Sequence, residues 1–447
     1  MKKTFNPARI AGLIAAALLL QGGIASAMSL PQAYDAALRN DPNFKMAEAE
    51  RAAGAESKIL GRSALLPQVQ ANYSRNKNRA DLTQLDALGR PNISHPEYLS
   101  GSTSVQLRQP LFSLEAYARY KQGVAQAQSS EAGFDVRRQE LVLRVVGAYT
   151  DALFASEQVR LATAQRDTLA EQTKVNDRMF VKGEGTRTDQ LETQARLDVA
   201  EASLIEAQDN LTTALATLSE IVGEEVKQLD GLAPVFPIAP MPAGGFEAWK
   251  TLALNNNPEV IARTYNVEVA RQEVNKQRSG HFPRVDFVAS YAKADAETLN
   301  TYQQESTSRA IGVQVTIPIY SGGAVSASTR QASANQIRAK AELEAQTDRI
   351  LVDLRKQYSA AISSVSRIQA LEKAVESGRL LMKATEQSIK GGVRINLDLL
   401  NAQQQLYVSE RDLAQARYNY LLSLLRLRAA AGTLSQDDVT TTARYFR

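Results

Sequence analysis

Val69, Ala71 and Tyr73 alternate with Gln, Asn and Ser, and Val105 and Leu107 continue the same two-residue rhythm further along. In the second half of the chain Val285, Phe287, Ala289 and Tyr291 alternate likewise, followed by Ile311, Val313, Val315, Ile317 and Ile319. Successive side chains of an extended strand point to opposite faces, so each run makes a strand with one apolar and one polar face. The pattern predicts four strands, over about residues 67–78, 100–112, 283–294 and 306–320. Each is also long enough for a membrane barrel, whose tilted strands need about 9–11 residues. Pro67, Pro110, Pro283 and Pro318 sit where strand should meet helix, places where a missing N–H interrupts the ladder and turns the chain.

Elsewhere the rhythm changes to four and three. Leu204, Gln208, Leu211, Leu215, Leu218 and Val222 follow the heptad period of helices that pack as coiled coils. No proline interrupts Leu114 to about Val181, and at 1.5 Å per residue that helix would be roughly 100 Å long. A second long helix is predicted from about Ala324 to Lys390. A globular domain has no room for helices of that length, whereas the wall of a hollow cylinder does.

The chain is written twice. A shift from 149 to 358 superposes Tyr149 on Tyr358, Asp189 on Asp398, Leu191 on Leu400, Gln194 on Gln403 and Gly223 on Gly432. "ALRNDPNFKMAEAE" (37–50) parallels "ALNNNPEVIARTYN" (253–266), "LLPQVQANYS" parallels "HFPRVDFVASYA", and "VQLRQPLFS" parallels "VQVTIPIYS". This internal duplication divides the chain into a first repeat, 28–227, and a second, 246–432, with a tail at 433–447. Between the repeats, residues 228–245 include the proline-rich "LAPVFPIAPMPAGG", which cannot be helix and reads as a linker.

Residues 1–27 stand apart. A basic start (Lys2, Lys3, Arg9), an apolar stretch and Ala25-Ser26-Ala27 predict a secretory signal peptide. The chain has 52 Lys and Arg against 48 Asp and Glu, so without the three basic signal residues the balance is 49 to 48. A near-neutral exported chain gives no reason to expect a nucleic-acid partner. There is no cysteine, hence no disulfide and no lipidation site. No apolar run of 18 or more follows the signal, which leaves a periplasmic, secreted or outer-membrane β-barrel protein. Four strands cannot close a barrel, and lipid forbids an open sheet edge. Bacterial barrels begin at eight strands, so the chain is expected to oligomerise, two copies giving eight strands and three giving twelve.

The duplicated "LPQ/FPR" strands, the "PLFS/PIYS" strand ends and the paired turns "GEGTRTDQLETQ" (183–194) and "GGVRINLDLLNAQ" (391–403) resemble the TolC family of outer-membrane channels over essentially the whole mature chain. The resemblance implies a mainly α fold with a β-barrel: a homotrimer forming a twelve-stranded outer-membrane barrel continued by a twelve-helix periplasmic α-barrel. It also implies a periplasmic adaptor, an inner-membrane ABC transporter reached through that adaptor, and surrounding outer-membrane lipid as partners. "SLPQAYDAALRNDPNF" and the missing lipidation cysteine resemble the branch serving type I protein secretion. The alternatives are a multidrug or small-molecule efflux duct and, more remotely, a periplasmic coiled-coil adaptor, which would not need the four amphipathic strands.

The two glycine turns would then be periplasmic tips, six per trimer. Gly183, Gly185, Thr186, Arg187, Gly391, Gly392 and Val393 would form the adaptor-facing surface, or serve only to reverse the chain. By the resemblance Asp398 would project into the pore, where three carboxylates attract cations. Alternatively, it is an acid offsetting a helix dipole after Asn396. Thr188, Asp189 and Arg394 match positions that hold the family's tip closed, although Thr186-x-x-Asp189 also reads as a simple capping box. Ile389 and Asn401 depart from the family's tyrosine and second acid. No phosphate loop, nucleophile elbow or zinc spacing is present, and His95 and His281 are isolated. No enzyme activity, cofactor or metal is therefore expected.

Overall fold

The computed structural model describes residues 27–233, 236–238, 244–298, 301–391 and 393–446. The expected signal segment, part of the linker and Gly392 thus lie outside the described residues. The chain forms two compact units, and neither coincides with a sequence repeat. One comprises the chain up to Ala47, Asp135–Asn257 and everything from Arg349; the other comprises Glu48–Phe134 and Pro258–Asp348.

The second unit holds the sheet. β1 (Gln68–Arg79), β4 (Glu97–Phe112), β5 (Arg284–Thr298) and β6 (Thr301–Thr316) form one antiparallel sheet in the order β1-β4-β5-β6. A small hairpin, β2 (Leu82–Leu85) with β3 (Pro91–Ser94), fills the loop between β1 and β4. It has no apolar alternation, which is why the sequence pattern missed it. Pro110 lies inside β4 rather than at a junction, and the ladder tolerates it through a register shift between Pro110 and Phe112.

The register aligns the alternation across all four strands. Val69 pairs with Leu107, Ala71 with Val105, Val105 with Tyr291, Leu107 with Ala289, Phe287 with Val313 and Ala289 with Ile311. These residues share one face, and much of it is open, with Val69 at 65 % and Ile311 at 80 % exposure. The opposite face carries Gln, Asn, Ser and Thr, together with Asp286, a buried carboxylate held by Arg108 at 2.6 Å and Arg284 at 3.1 Å. A sheet apolar on its exposed face and polar on the other is built for lipid outside and water inside.

The first unit is helical. It contains α1 (Leu30–Asn40) and the start of α2 (Pro42–Ser63). It also takes in most of α3 (Leu114–Val181), all of α4 (Arg187–Val222) and α5 (Gly245–Asn256), the second part of α7 (Ala324–Lys390), α8 (Asn396–Ala430) and α9 (Gln436–Ala443). α6 (Pro258–Arg278) belongs to the other unit. Leu354, Ala361, Ile368 and Val375 of α7 are buried at seven-residue steps, as are Thr193, Ala200 and Ala207 of α4. The heptad is therefore real, and the expected positions Leu218 and Val222 are fully buried, but Gln208 departs from it. There Ala207 is buried and its neighbour Gln208 exposed.

The duplication reappears as matched joints. Gly223 and Gly432 end α4 and α8 with φ of 79° and 72°. A Cβ there would stand 2.5 Å from the Asn40 Cβ and 2.3 Å from the Asn256 carbonyl oxygen. Both a left-handed backbone and a close neighbour thus require glycine. Tyr149 meets Phe446 edge-on at 5.4 Å, and its counterpart Tyr358 meets Phe246 at 5.6 Å. The Tyr149 hydroxyl donates to the Met28 carbonyl at 2.9 Å and accepts from the Asp230 amide at 3.1 Å. Burial pushes this phenol far above its ordinary pKa, so it remains a donor. The linker and tail are packed rather than free: Phe236 lies 5.8 Å from Tyr420 and 5.2 Å from Tyr445.

Candidate functional site

The two glycine turns each close a helix hairpin, α3 to α4 and α7 to α8. At the first, the Glu184 amide reaches back to the Met179 carbonyl at 2.9 Å and the Gly183 amide to Phe180 at 3.0 Å. This is a Schellman closure, with Gly183 at φ 75° in the position that needs a left-handed residue. Gly185 matters for a different reason: a Cβ there would lie 3.1 Å from the Met179 Cβ. At the second turn the Val393 amide bonds the Ser388 carbonyl at 2.9 Å, the same reach of five residues. The Gly391 amide still makes a helical bond to Gln387, at 3.1 Å. Gly391 thus corresponds to Lys182 and belongs to the last helical turn. Gly392, the counterpart of Gly183, lies outside the described residues. Val393 is 81 % exposed.

Helix α4 starts at Thr186, whose hydroxyl accepts from the Asp189 amide at 3.1 Å while Asp189 accepts from the Thr186 amide at 3.3 Å. The capping box is therefore formed, and in the single chain it occupies the Asp189 carboxylate. Thr188 is exposed. The Arg187 guanidinium lies 5.8 Å over the Phe180 ring. Arg394 pairs with Asp398 of its own hairpin, Nη1 to Oδ2 at 3.7 Å, with both side chains substantially exposed. Within one chain, then, Asp189 and Arg394 are not joined to each other.

Asn396 does not cap α8. Ile395 occupies that position and makes no side-chain cap bond. Asn396 is free for something the sequence did not reveal. Its Oδ1 accepts from Gln172 Nε2 at 2.8 Å, and its Nδ2 donates to Thr193 Oγ1 at 3.3 Å. Thr193 and Asn176, both buried, bond at 2.7 Å. A little further from the turns, Arg196 donates to Asn401 Oδ1 at 2.9 Å and Gln165 to Gln404 at 2.6 Å. The two hairpins of one chain are thus tied by a polar network, with Leu169, Leu197, Ala200 and Leu400 packed beside it. Asn401 replaces the expected second acid, and the structure gives the amide a partner of its own. Amide and hydroxyl side chains on a helix carry no signal of what they will meet.

These hairpins position a carboxylate, Asp398, and a cation, Arg394, near the second turn, and polar bonds tie the two hairpins together. No group of residues suited to hold a metal ion exists among the described residues, and no described helix is long and apolar enough to cross a membrane. The sheet with its lipid-suited face and the hairpin-tipped helices define an outer-membrane channel protein. A family model described as "Outer membrane efflux protein" matches residues 33–224 and 249–433, and the chain belongs to that family. It is 41 % identical to the alkaline protease secretion protein AprF of Pseudomonas aeruginosa, over 97 % of this chain and 90 % of that one. It is 37 % identical to the proteases secretion protein PrtF of Dickeya chrysanthemi, over 98 % and 96 %. The solved channel CusC shares its fold, with a TM-score of 0.78 at 15 % identity, covering 90 % of this chain and 92 % of that one. The family is one of outer-membrane efflux proteins, and the protein is an outer-membrane exit duct that extends into the periplasm.

Proposed function

We propose that three copies form the exit duct of a type I protein secretion system, receiving cargo from an inner-membrane ABC transporter through a periplasmic adaptor. The carrying observation is identity, over nearly the full length, to two proteins named for protease secretion. The cargo is then a secreted protein, a protease by that analogy. Deleting the gene and comparing extracellular protein and protease activity tests this. Unchanged secretion, with altered drug sensitivity instead, would favour the efflux reading.

Trimerisation is supported by the sheet itself. β1 and β6 are both edges, and an unpaired backbone group in hydrocarbon costs several kcal/mol. Leu191, Val199 and Ile205 of α4 and Val352 and Leu380 of α7 lie exposed, apolar surface suited to a neighbouring copy. The repeats also predict how copies join. Moving β1 by 216 positions and β4 by 208 turns the pair Gln68–Arg108 into Arg284–Thr316, which is the observed β5–β6 register. Applied to the observed β4–β5 pairs, the same shifts place β6 of one copy beside β1 of the next. Ser102–Ala294 becomes Ala310–Asn78, and Gln106–Ser290 becomes Gln314–Ser74. This register keeps Ile311, Val313 and Val315 on the same face as Val69, Ala71 and Tyr73. Twelve strands then close with a continuous apolar exterior.

At the tips, six hairpins would meet in a ring. Gly183, Gly185, Thr186, Arg187, Gly391, Gly392 and Val393 present the surface for the adaptor. Closure between copies rests on Arg394 reaching Thr188 and Asp189 of a neighbour, and the three Asp398 carboxylates line the opening.

A further inference from the structure

The apolar face of the sheet ends in charge. On β1, Arg75, Lys77 and Arg79 follow Val69, Ala71 and Tyr73 on the same face, towards the end away from α2. On β6, Arg309 stands next to Ile311 on that face. Counter-charge within the chain is sparse. Glu97 lies 2.9 Å from Lys77 and 3.9 Å from Arg79, so one carboxylate serves two cations. Arg75 makes no ion pair among the described residues, and Arg309 has its guanidinium 5.7 Å over the Tyr291 ring. Among the described side chains the other acids on the face are Glu305, 3.5 Å from Lys293, and Asp295 of β5.

The seam between copies, read from the repeats as above, concentrates these cations. The shift that makes Gln314 face Ser74 sets Arg309 opposite Arg79 of the next copy, Ile311 opposite Lys77 and Val313 opposite Arg75. The equivalent positions inside one chain are Gly101 and Asp295, which do face each other across β4 and β5. The duplicated sequence therefore departs from its own symmetry here, placing two arginines where copies meet and none at the internal junction. Like charges directly opposite on a sheet destabilise it. An anion between them reverses the sign, and guanidinium groups bind phosphate oxygens bidentately.

We propose that each seam binds the phosphates of a lipopolysaccharide molecule in the outer leaflet, through Arg75, Lys77 and Arg79 of one copy and Arg309 of the next. The apolar belt beside these cations, on the same face, gives the acyl chains their contact, so headgroup and tail are recognised together. The site exists only in the assembled barrel and rests on the seam proposed above.

The test uses full-length protein, purified in mild detergent and stripped of lipid, then titrated with purified lipopolysaccharide by native mass spectrometry. Up to three molecules per trimer are expected. Removing the lipid phosphates, or combining Arg79→Gln with Arg309→Gln, should weaken apparent binding at least ten-fold, while Lys293→Gln leaves it unchanged. Phosphatidylglycerol should compete poorly. A Ser74→Cys/Gln314→Cys disulfide, added to each variant, reports whether the seam is closed. Wild-type affinity in the double arginine variant with the disulfide formed overturns the proposal. Equal binding of phosphatidylglycerol or of dephosphorylated lipid overturns it too. If the disulfide fails to form in the parent protein, the seam reading itself is wrong, and the site with it.

Discussion

The closing seam can be probed with unusual clarity because the protein contains no cysteine. Paired residues on neighbouring antiparallel strands have Cα atoms about 4.5–5.5 Å apart, inside the range a disulfide spans. A slip of two residues moves the partner about 6.8 Å along the strand and opens the Cα separation to about 8 Å, too far to bridge. A slip of one residue keeps the strands near but turns the side chains to opposite faces. Ser74→Cys with Gln314→Cys should therefore cross-link copies efficiently in native membranes under mild oxidation. Asn72→Cys or Asn76→Cys with the same Gln314→Cys should not. Heated, non-reduced samples on a denaturing gel should show a ladder ending at covalent trimer. Preferential cross-linking through Asn72 or Asn76 would refute the register derived from the repeats. A ladder that ends at dimer under full oxidation would refute a ring of three.

Five further outcomes are expected. Gly183→Val forces a β-branched residue into a left-handed backbone, costing about 1–2 kcal/mol at the tip; secretion should fail while heat-resistant trimer persists on gels. Arg394→Ser should raise single-channel conductance in planar bilayers, whereas Asp398→Ala should weaken block by divalent cations added from the periplasmic side. Thr193→Val removes the acceptor used by Asn176 and Asn396 and leaves buried amide groups unpaired, at about 1–3 kcal/mol; it should also raise conductance, with no change in cation block. Tyr149→Phe removes the hydroxyl's bonds to the Met28 carbonyl and Asp230 amide and leaves those two groups only their longer bond to each other, 3.4 Å, at a cost of about 0.5–1.5 kcal/mol that a lowered thermal midpoint in circular dichroism would record.

Much of this protein was legible in its sequence because repetition and period survive without knowledge of tertiary contacts. Alternation at Val69, Ala71 and Tyr73 specifies a strand and its faces, since a two-residue period admits one apolar side. The long proline-free stretches specify helices, and the 208–216 shifts specify a duplication whose two hairpins share one register. The left-handed turn at Gly183 was readable because only glycine enters that backbone cheaply. Other features were decided by folding. Gln208 fits the heptad by spacing, yet it is Ala207 that lies buried, because helix approach distance and rotation select the contact line. By sequence Asn396 is only a residue ahead of a first-turn acid, but in the fold Ile395 takes the cap position of α8 and the Asn396 amide binds Gln172 and Thr193, more than 200 residues away in sequence. Asp189 could serve a capping box or a neighbouring copy, and the folded chain gives its carboxylate to Thr186. Local periodicity determines which elements form and which face is apolar. Which polar groups meet depends on helix rotation and register, quantities set by the packing of the whole unit.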